Sequence, residues 1–289
     1  MPHFADFLTS RIAETRSVAC VDLDPVLESL PDAVRVRHHD PVEAVRAFCL
    51  GVIDAVADAV PAVKPQSACF ERYGSRGVAV LEAVCSHARS RGLCVVLDAK
   101  RGDIGVSAQH YAAAAVHAGA HAITVNAYLG FDTVEPYLDA GLGVFALVRT
   151  SNPGSDAVQD PRLHDGRTVA AMMAERVAAL GAARRGASGL SDVGAVVGAT
   201  KAAQGVELRR LMPSQVFLVP GYGAQGGTAA DIRALARAGA KDPAEAGVLV
   251  NASRSVIYAR GVGAWQENIR TAAATMTEEL GTAVAGEPR

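Results

Sequence analysis

Short apolar runs recur along the chain, each separated from the next by a segment of helical periodicity. Eight of them are candidate strands: 17–24, 62–66, 94–100, 122–128, 143–151, 193–199, 216–223 and 247–254. Between them lie alanine-rich stretches such as PVEAVRAFCLGVIDAVADA and GRTVAAMMAERVAALGAA, in which apolar positions repeat with the period of a helix. Strand and helix in alternation predict right-handed βαβ units and a parallel sheet. The near-continuous apolar runs suit strands covered on both faces. Eight such units in 289 residues is the count of a single (β/α)8 TIM barrel; a doubly wound open sheet is the alternative. Ahead of the first strand, MPHFADFLTSRIAETRS places Phe4, Phe7, Leu8 and Ile12 on one face, which predicts an extra N-terminal helix. We expect one barrel domain over 1–281 and a disordered tail over 282–289. Two polar, turn-rich insertions interrupt the alternation, at 152–165 and 184–192.

The C-terminal ends of the strands are polar: Asp22 and Asp24, Lys64, Asp98 and Lys100, Asn126, Thr150 and Ser151, Gln225, and Arg254. A barrel gathers these ends on one rim, the rim that carries active sites. The densest group is CVVLDAKRGDIG, 94–105. Strand alternation puts Cys94, Val96, Asp98 and Lys100 on one face and the apolar Val95, Leu97 and Ala99 on the other. The first face should point into the barrel, so Asp98 and Lys100 would be inward charges. Asp98 and Lys100 could be a structural ion pair and Asp103 a helix N-cap. Yet burying charge is costly unless it is paired, and apolar residues would serve stability equally well, which favours chemistry that needs fixed charges. Lys64 ends the second strand and should lie beside them. A second pattern, VPGYGAQGGTAADI at 219–232, sets Gly223 and Gly226 between a strand and a helix. Free backbone N–H groups there, with Arg254 after the eighth strand, would hold a phosphate.

Composition narrows the partners. Lys and Arg number 28 against 30 Asp and Glu, interspersed, for a net charge of −2. No basic stripe marks a nucleic-acid site. No apolar run has the length of a membrane span, and the N-terminal stretch lacks the features of a signal peptide. The 5 cysteines form no CxxC pair and read as reduced thiols of a cytoplasmic protein. No dinucleotide or nucleotide-triphosphate motif and no metal-ligand spacing occurs. We therefore expect no cofactor and no metal.

VDLDP (21–25), VKPQSACFERYG (63–74), LDAKRGDIG (97–105), TVNAYLGFD (124–132), VRTSNPGS (148–155), VPGYGAQGG (219–227) and NASRSVIYA (251–259) follow one another in this order. In that combination the chain resembles the longer bacterial branch of the orotidine 5'-phosphate decarboxylase family. The resemblance implies decarboxylation of orotidine 5'-monophosphate to UMP. It matches Lys64, Asp98, Lys100 and Asp103 to a catalytic charge network, with Lys100 as proton donor. It also implies a homodimer in which Asp103 and Ser107 complete the partner's site. Asp24 matches a ribose-binding carboxylate, Ser151 a pyrimidine contact, and Gln225 and Arg254 a phosphate-binding pair. Asn126, Gly223 and Gly226 join these as substrate-binding candidates, and 152–165 is the candidate lid. Asp22 stands where the resemblance leads one to expect glycine, and Ala127 where one expects proline. The rival readings are a Mg²⁺-dependent sugar-phosphate enzyme on the same barrel and a phosphosugar-binding barrel without turnover.

Overall fold

The computed structural model describes residues 3–223 and 225–285. Eight parallel strands close into a barrel in chain order: β1 (Ala19–Leu23), β2 (Ala62–Pro65), β3 (Cys94–Arg101), β4 (Ala122–Val125), β5 (Gly143–Arg149), β6 (Ser191–Val197), β7 (Gln215–Val219) and β8 (Val248–Ala252). Closure is made by β1 pairing with β8, Cys20 opposite Asn251. All eight expected strands are present, and the open-sheet alternative is excluded. The strands are almost wholly buried, because helices cover one face and packed side chains fill the other. Among the described residues no helix is long and apolar enough to cross a membrane.

The expected N-terminal helix spans Phe4–Thr15 and buries Phe4, Leu8 and Ile12. Phe4 meets Phe145 edge-on at 5.7 Å. A side chain at Gly143 would collide with the Phe4 ring at 2.1 Å, so this close approach requires glycine. The helix is fastened to the insertion before β6: Asp6 accepts from the amides of Ala187 and Ser188, and Asp192 accepts from Ala5. At the other end of the chain the last helix runs Trp265–Ala285. Residues 282–285, expected in the tail, are therefore helical; 286–289 lie outside the described residues.

The insertion at 152–165 is more ordered than its turn-rich composition suggests. It forms a 3-10 turn, Pro153–Ser155, and a short helix, Asp156–Gln159. The cause is Arg149, a fully buried cation at the end of β5, 1% exposed. Its guanidinium donates to Gln204 (2.5 Å), Ser155 (2.7 Å) and Asp156. Lys201 also reaches Asp156, at 2.6 Å, and Gln204 reaches Asp160, at 2.8 Å. The segment after β5 is thus tied to the segment after β6.

Candidate active site

The inward charges begin with a fault in β3. Pairing with β4 is regular at Leu97↔Ile123 but slips before Arg101↔Val125. Lys100 takes the left-handed conformation, φ 46°, which is unfavourable for a residue with a side chain. Thr124 on β4 stabilises the bulge. Its hydroxyl accepts from the amides of Ala99 (3.1 Å) and Lys100 (2.9 Å) and donates to Asp98 (2.8 Å). Simple alternation therefore holds only as far as Asp98. The bulge re-aims Lys100, whose ammonium returns to Asp98 Oδ1 at 2.6 Å. Strained backbone of this kind concentrates at functional sites.

Lys64, on β2, donates to the other oxygen of Asp98 at 2.7 Å. It also lies 3.2 Å from Asp22 Oδ2 on β1. Burial disfavours charge on Lys64, but Asp22, Asp98 and Asp24 outweigh it and hold its pKa above the ordinary lysine range. Burial likewise pushes Asp98 upward, and Lys64 and Lys100 overcome that, keeping its carboxyl well below the usual range. For Asp22 burial prevails, and its pKa is raised to about 7. Asp24 is also raised, chiefly by burial.

These residues line a cavity of about 340 Å³ together with Asp24, Thr124, Ser151, Asn152, Gln159 and Asn251. A second cavity, about 210 Å³, adjoins it and is lined by Gly221, Gln225, Ser253 and Arg254. Asp22, Asp24, Pro220 and Asn251 border both, so the two form one elongated basin. The first end offers fixed charges and amide-type groups. The second offers a guanidinium with no carboxylate partner among the described residues.

The anion end differs from expectation in one respect. Gly223 N–H donates to Gly227 O, Gly226 N–H to Gly223 O, and Gly227 N–H to Gly221 O. The glycine amides hold the turn together, with φ of 65° at Gly223 and 90° at Gly226. Arg254 and Gln225 also line this end of the basin. The following helix starts at Ala229, and a capping box between Thr228 and Asp231 satisfies the amides of those two residues.

Asp103, Ser107 and Asn126 are not brought into the basin of this chain. Asp103 accepts from the adjacent Ile104 amide, and Ser107 is exposed. Asn126 is exposed and caps a 3-10 turn, Ala127–Leu129, through the Tyr128 amide. Ala127 fills the first position of that turn, where proline is merely favourable. Thr124 and Asn251 are site residues that the strand-end pattern missed. Both lie one position inside the C-terminal end of a strand, where their types read as ordinary core-facing polar residues.

A profile of the orotidine 5'-phosphate decarboxylase / HUMPS family matches residues 38–267. A relative from Rhodopirellula baltica, named orotidine 5'-phosphate decarboxylase, is 44% identical over 97% of this chain and 99% of its own length. One of the same name from Deinococcus radiodurans is 41% identical, with 98% of each chain covered. The solved OMP decarboxylase of Leishmania donovani superposes with a TM-score of 0.79 at 34% identity, covering 97% of this chain and 98% of that one. This chain therefore belongs to the orotidine 5'-phosphate decarboxylase / HUMPS family.

Proposed function

We propose that this protein decarboxylates orotidine 5'-monophosphate to uridine 5'-monophosphate and CO2, without metal or organic cofactor, Lys100 supplying the proton. The observation that carries this reading is the Lys64–Asp98–Lys100 chain of ion pairs at one end of a basin whose other end holds Arg254. Cleavage of the ring carbon–carboxylate bond releases CO2 and leaves its electron pair on the ring carbon. Fixed positive charge beside that carbon stabilises the developing anion without reorganisation. The Lys100 ammonium then transfers a proton to the carbon, closing a C–H bond. Asp98, held by Lys64 and Thr124, fixes the ammonium's position. Ser151 and Gln159 line the pyrimidine end, Asp24 the ribose, and Gln225 and Arg254 the phosphate. Binding energy from the remote phosphate serves the reacting carbon by holding the substrate and ordering the segment after β5.

Asp103 and Ser107 serve a second copy of the chain in this reading. Around them Ile104, Val106, Tyr128 and Leu129 are between 54% and 85% exposed, an apolar patch suited to burial in a homodimer. Gly102 lets the loops after β3 and β4 touch here: a side chain at Gly102 would lie 2.6 Å from Asn126 O.

The direct test is the ultraviolet absorbance of orotidine 5'-monophosphate mixed with purified protein and EDTA. Loss of the orotate band with formation of uridine 5'-monophosphate is expected. No loss, with Mg²⁺-restored activity on a sugar phosphate, would overturn the reading. Lys100→Ala and Asp103→Ala proteins should each be folded and nearly inactive. Mixed and allowed to exchange subunits, they should regain about a quarter of wild-type activity, because half of the dimers are hybrids with one intact site of two. No recovery despite verified exchange would remove Asp103 from the partner's site.

A further inference from the structure

The ion pairs continue beyond Lys64. Asp22 on β1 is the register partner of Lys64 on β2, and Asn251 on β8 donates its amide to Asp22 Oδ2 at 2.9 Å. The row Asn251–Asp22–Lys64–Asp98–Thr124 therefore crosses five consecutive strands, β8 through β4. Asp22 and Asn251 are 6% and 5% exposed. The charged and titratable groups facing Asp22 are Cys20 from β1, Asp24 just after it, Lys64 from β2 and Asp98 from β3; β8 contributes the neutral Asn251. Asn251 donates a hydrogen bond to Asp22 and Lys64 lies in ion-pair contact with it at 3.2 Å, and among the described residues one oxygen of each of Asp22 and Asn251 has no partner.

A second buried carboxylate is a costly neighbour for a lysine that already has Asp98 at 2.7 Å. Its effect follows from counting. Two ammonium groups, Lys64 and Lys100, share the single carboxylate of Asp98. An ammonium has three donors. With Asp98 alone, Lys64 could pivot about one contact and compete with Lys100 for it. With Asp22 on the opposite side, the ammonium is held between carboxylates from both flanking strands, hydrogen-bonded to Asp98 and ion-paired with Asp22. Swinging toward the oxygen used by Lys100 would then cost the Asp22 contact.

We propose that Asp22, braced by Asn251, is a positioning residue that fixes the Lys64 ammonium and leaves one oxygen of Asp98 to Lys100. The assignment rests on the decarboxylase reading for what the basin holds. The raised pKa of Asp22 adds a readout: protonation removes its charge and with it the hold on Lys64.

The test is the steady-state pH profile of wild-type, Asp22→Asn and Asn251→Ala proteins with orotidine 5'-monophosphate. Asp22→Asn nearly preserves shape, so folding should survive. We expect its kcat to fall about tenfold or more with a smaller change in KM, the pattern of a lost transition-state contribution. The wild-type acid limb near neutral pH should disappear in Asp22→Asn and shift in Asn251→Ala. Wild-type kcat and an unchanged profile in Asp22→Asn would overturn the proposal. A lowered melting temperature with an unchanged profile would also overturn it, as a purely structural role. If the wild-type protein releases no CO2, the decarboxylase reading fails separately. A crystal structure of Asp22→Asn then decides: Lys64 Nζ displaced from Asp98 upholds the positioning role, and Lys64 unmoved refutes it.

Discussion

Thr124 shows how much one hydroxyl can settle. It stabilises a strained lysine backbone, satisfies two bulge amides and donates to the central carboxylate. Thr124→Val keeps the shape but leaves two amides without a partner and Asp98 Oδ1 with Lys100 alone. Each buried polar group left so costs about 1–3 kcal/mol. The variant should be less stable in urea by an amount in that range, and its kcat should fall more than its KM rises. An unchanged kcat would mean that Asp98 and Lys100 hold their geometry without it. Arg254→Ala should act in the opposite sense, raising KM for the phosphate ester at least about tenfold, since charge-assisted bonds to phosphate are among the stronger ones. It should affect a substrate lacking the phosphate hardly at all. Equal losses on both substrates would place the phosphate elsewhere.

At the scale of elements, the segment after β5 is the part of the basin wall that side chains, not backbone pairing, hold in place. Arg149 is its anchor, and Gln159 both borders the cavity and accepts from the Thr150 amide at 2.8 Å. Arg149→Met retains an apolar stem but removes every donor. Residues 153–160 should then exchange amide hydrogens faster and be cut by protease first, while the barrel strands keep their protection. KM should rise as the pyrimidine wall loosens. Unchanged exchange in 153–160 would show that Lys201 and Gln204 suffice to hold the segment.

For the whole molecule, one buried and one half-buried group give stability opposite slopes with pH. His121 accepts from the Val95 amide at 3.0 Å and is depressed to about 4, first by burial and then by Arg89. The unfolded chain binds its proton near 6.5, so this contribution is lost as pH falls from about 6.5 to 4. Asp22 is raised from 3.8 to about 7, so the folded state holds a proton that the unfolded state has released. Its contribution falls as pH rises through that window. In the wild type the two largely offset. Urea midpoints of Asp22→Asn should therefore climb more steeply from pH 4 to 6.5 than those of the wild type. Those of His121→Asn should decline over the same range. Parallel curves for all three proteins would show that neither group titrates as its surroundings require.

The sequence by itself determined the barrel. Eight apolar runs alternating with helical segments admit few topologies, and the rule that parallel strands present their C-terminal ends on one rim brought Lys64, Asp98 and Lys100 together in advance. The Phe4–Ile12 stripe likewise specified the N-terminal helix, because a periodicity is a local property. Only the tertiary structure decided the rest. The bulge at Lys100 depends on Thr124 from the next strand, the order of 153–160 on a buried arginine and on residues some fifty positions away, and the pairing of Asp22 with Lys64 and Asn251 on barrel closure. The glycine loop read as an anion cradle, yet the amides of Gly223, Gly226 and Gly227 are taken by its own carbonyls. Composition tells which residues a loop has, whereas hydrogen-bond partners are set by backbone geometry. Local periodicity is written along the chain; the partner of a buried polar group is fixed only when distant strands are brought into register.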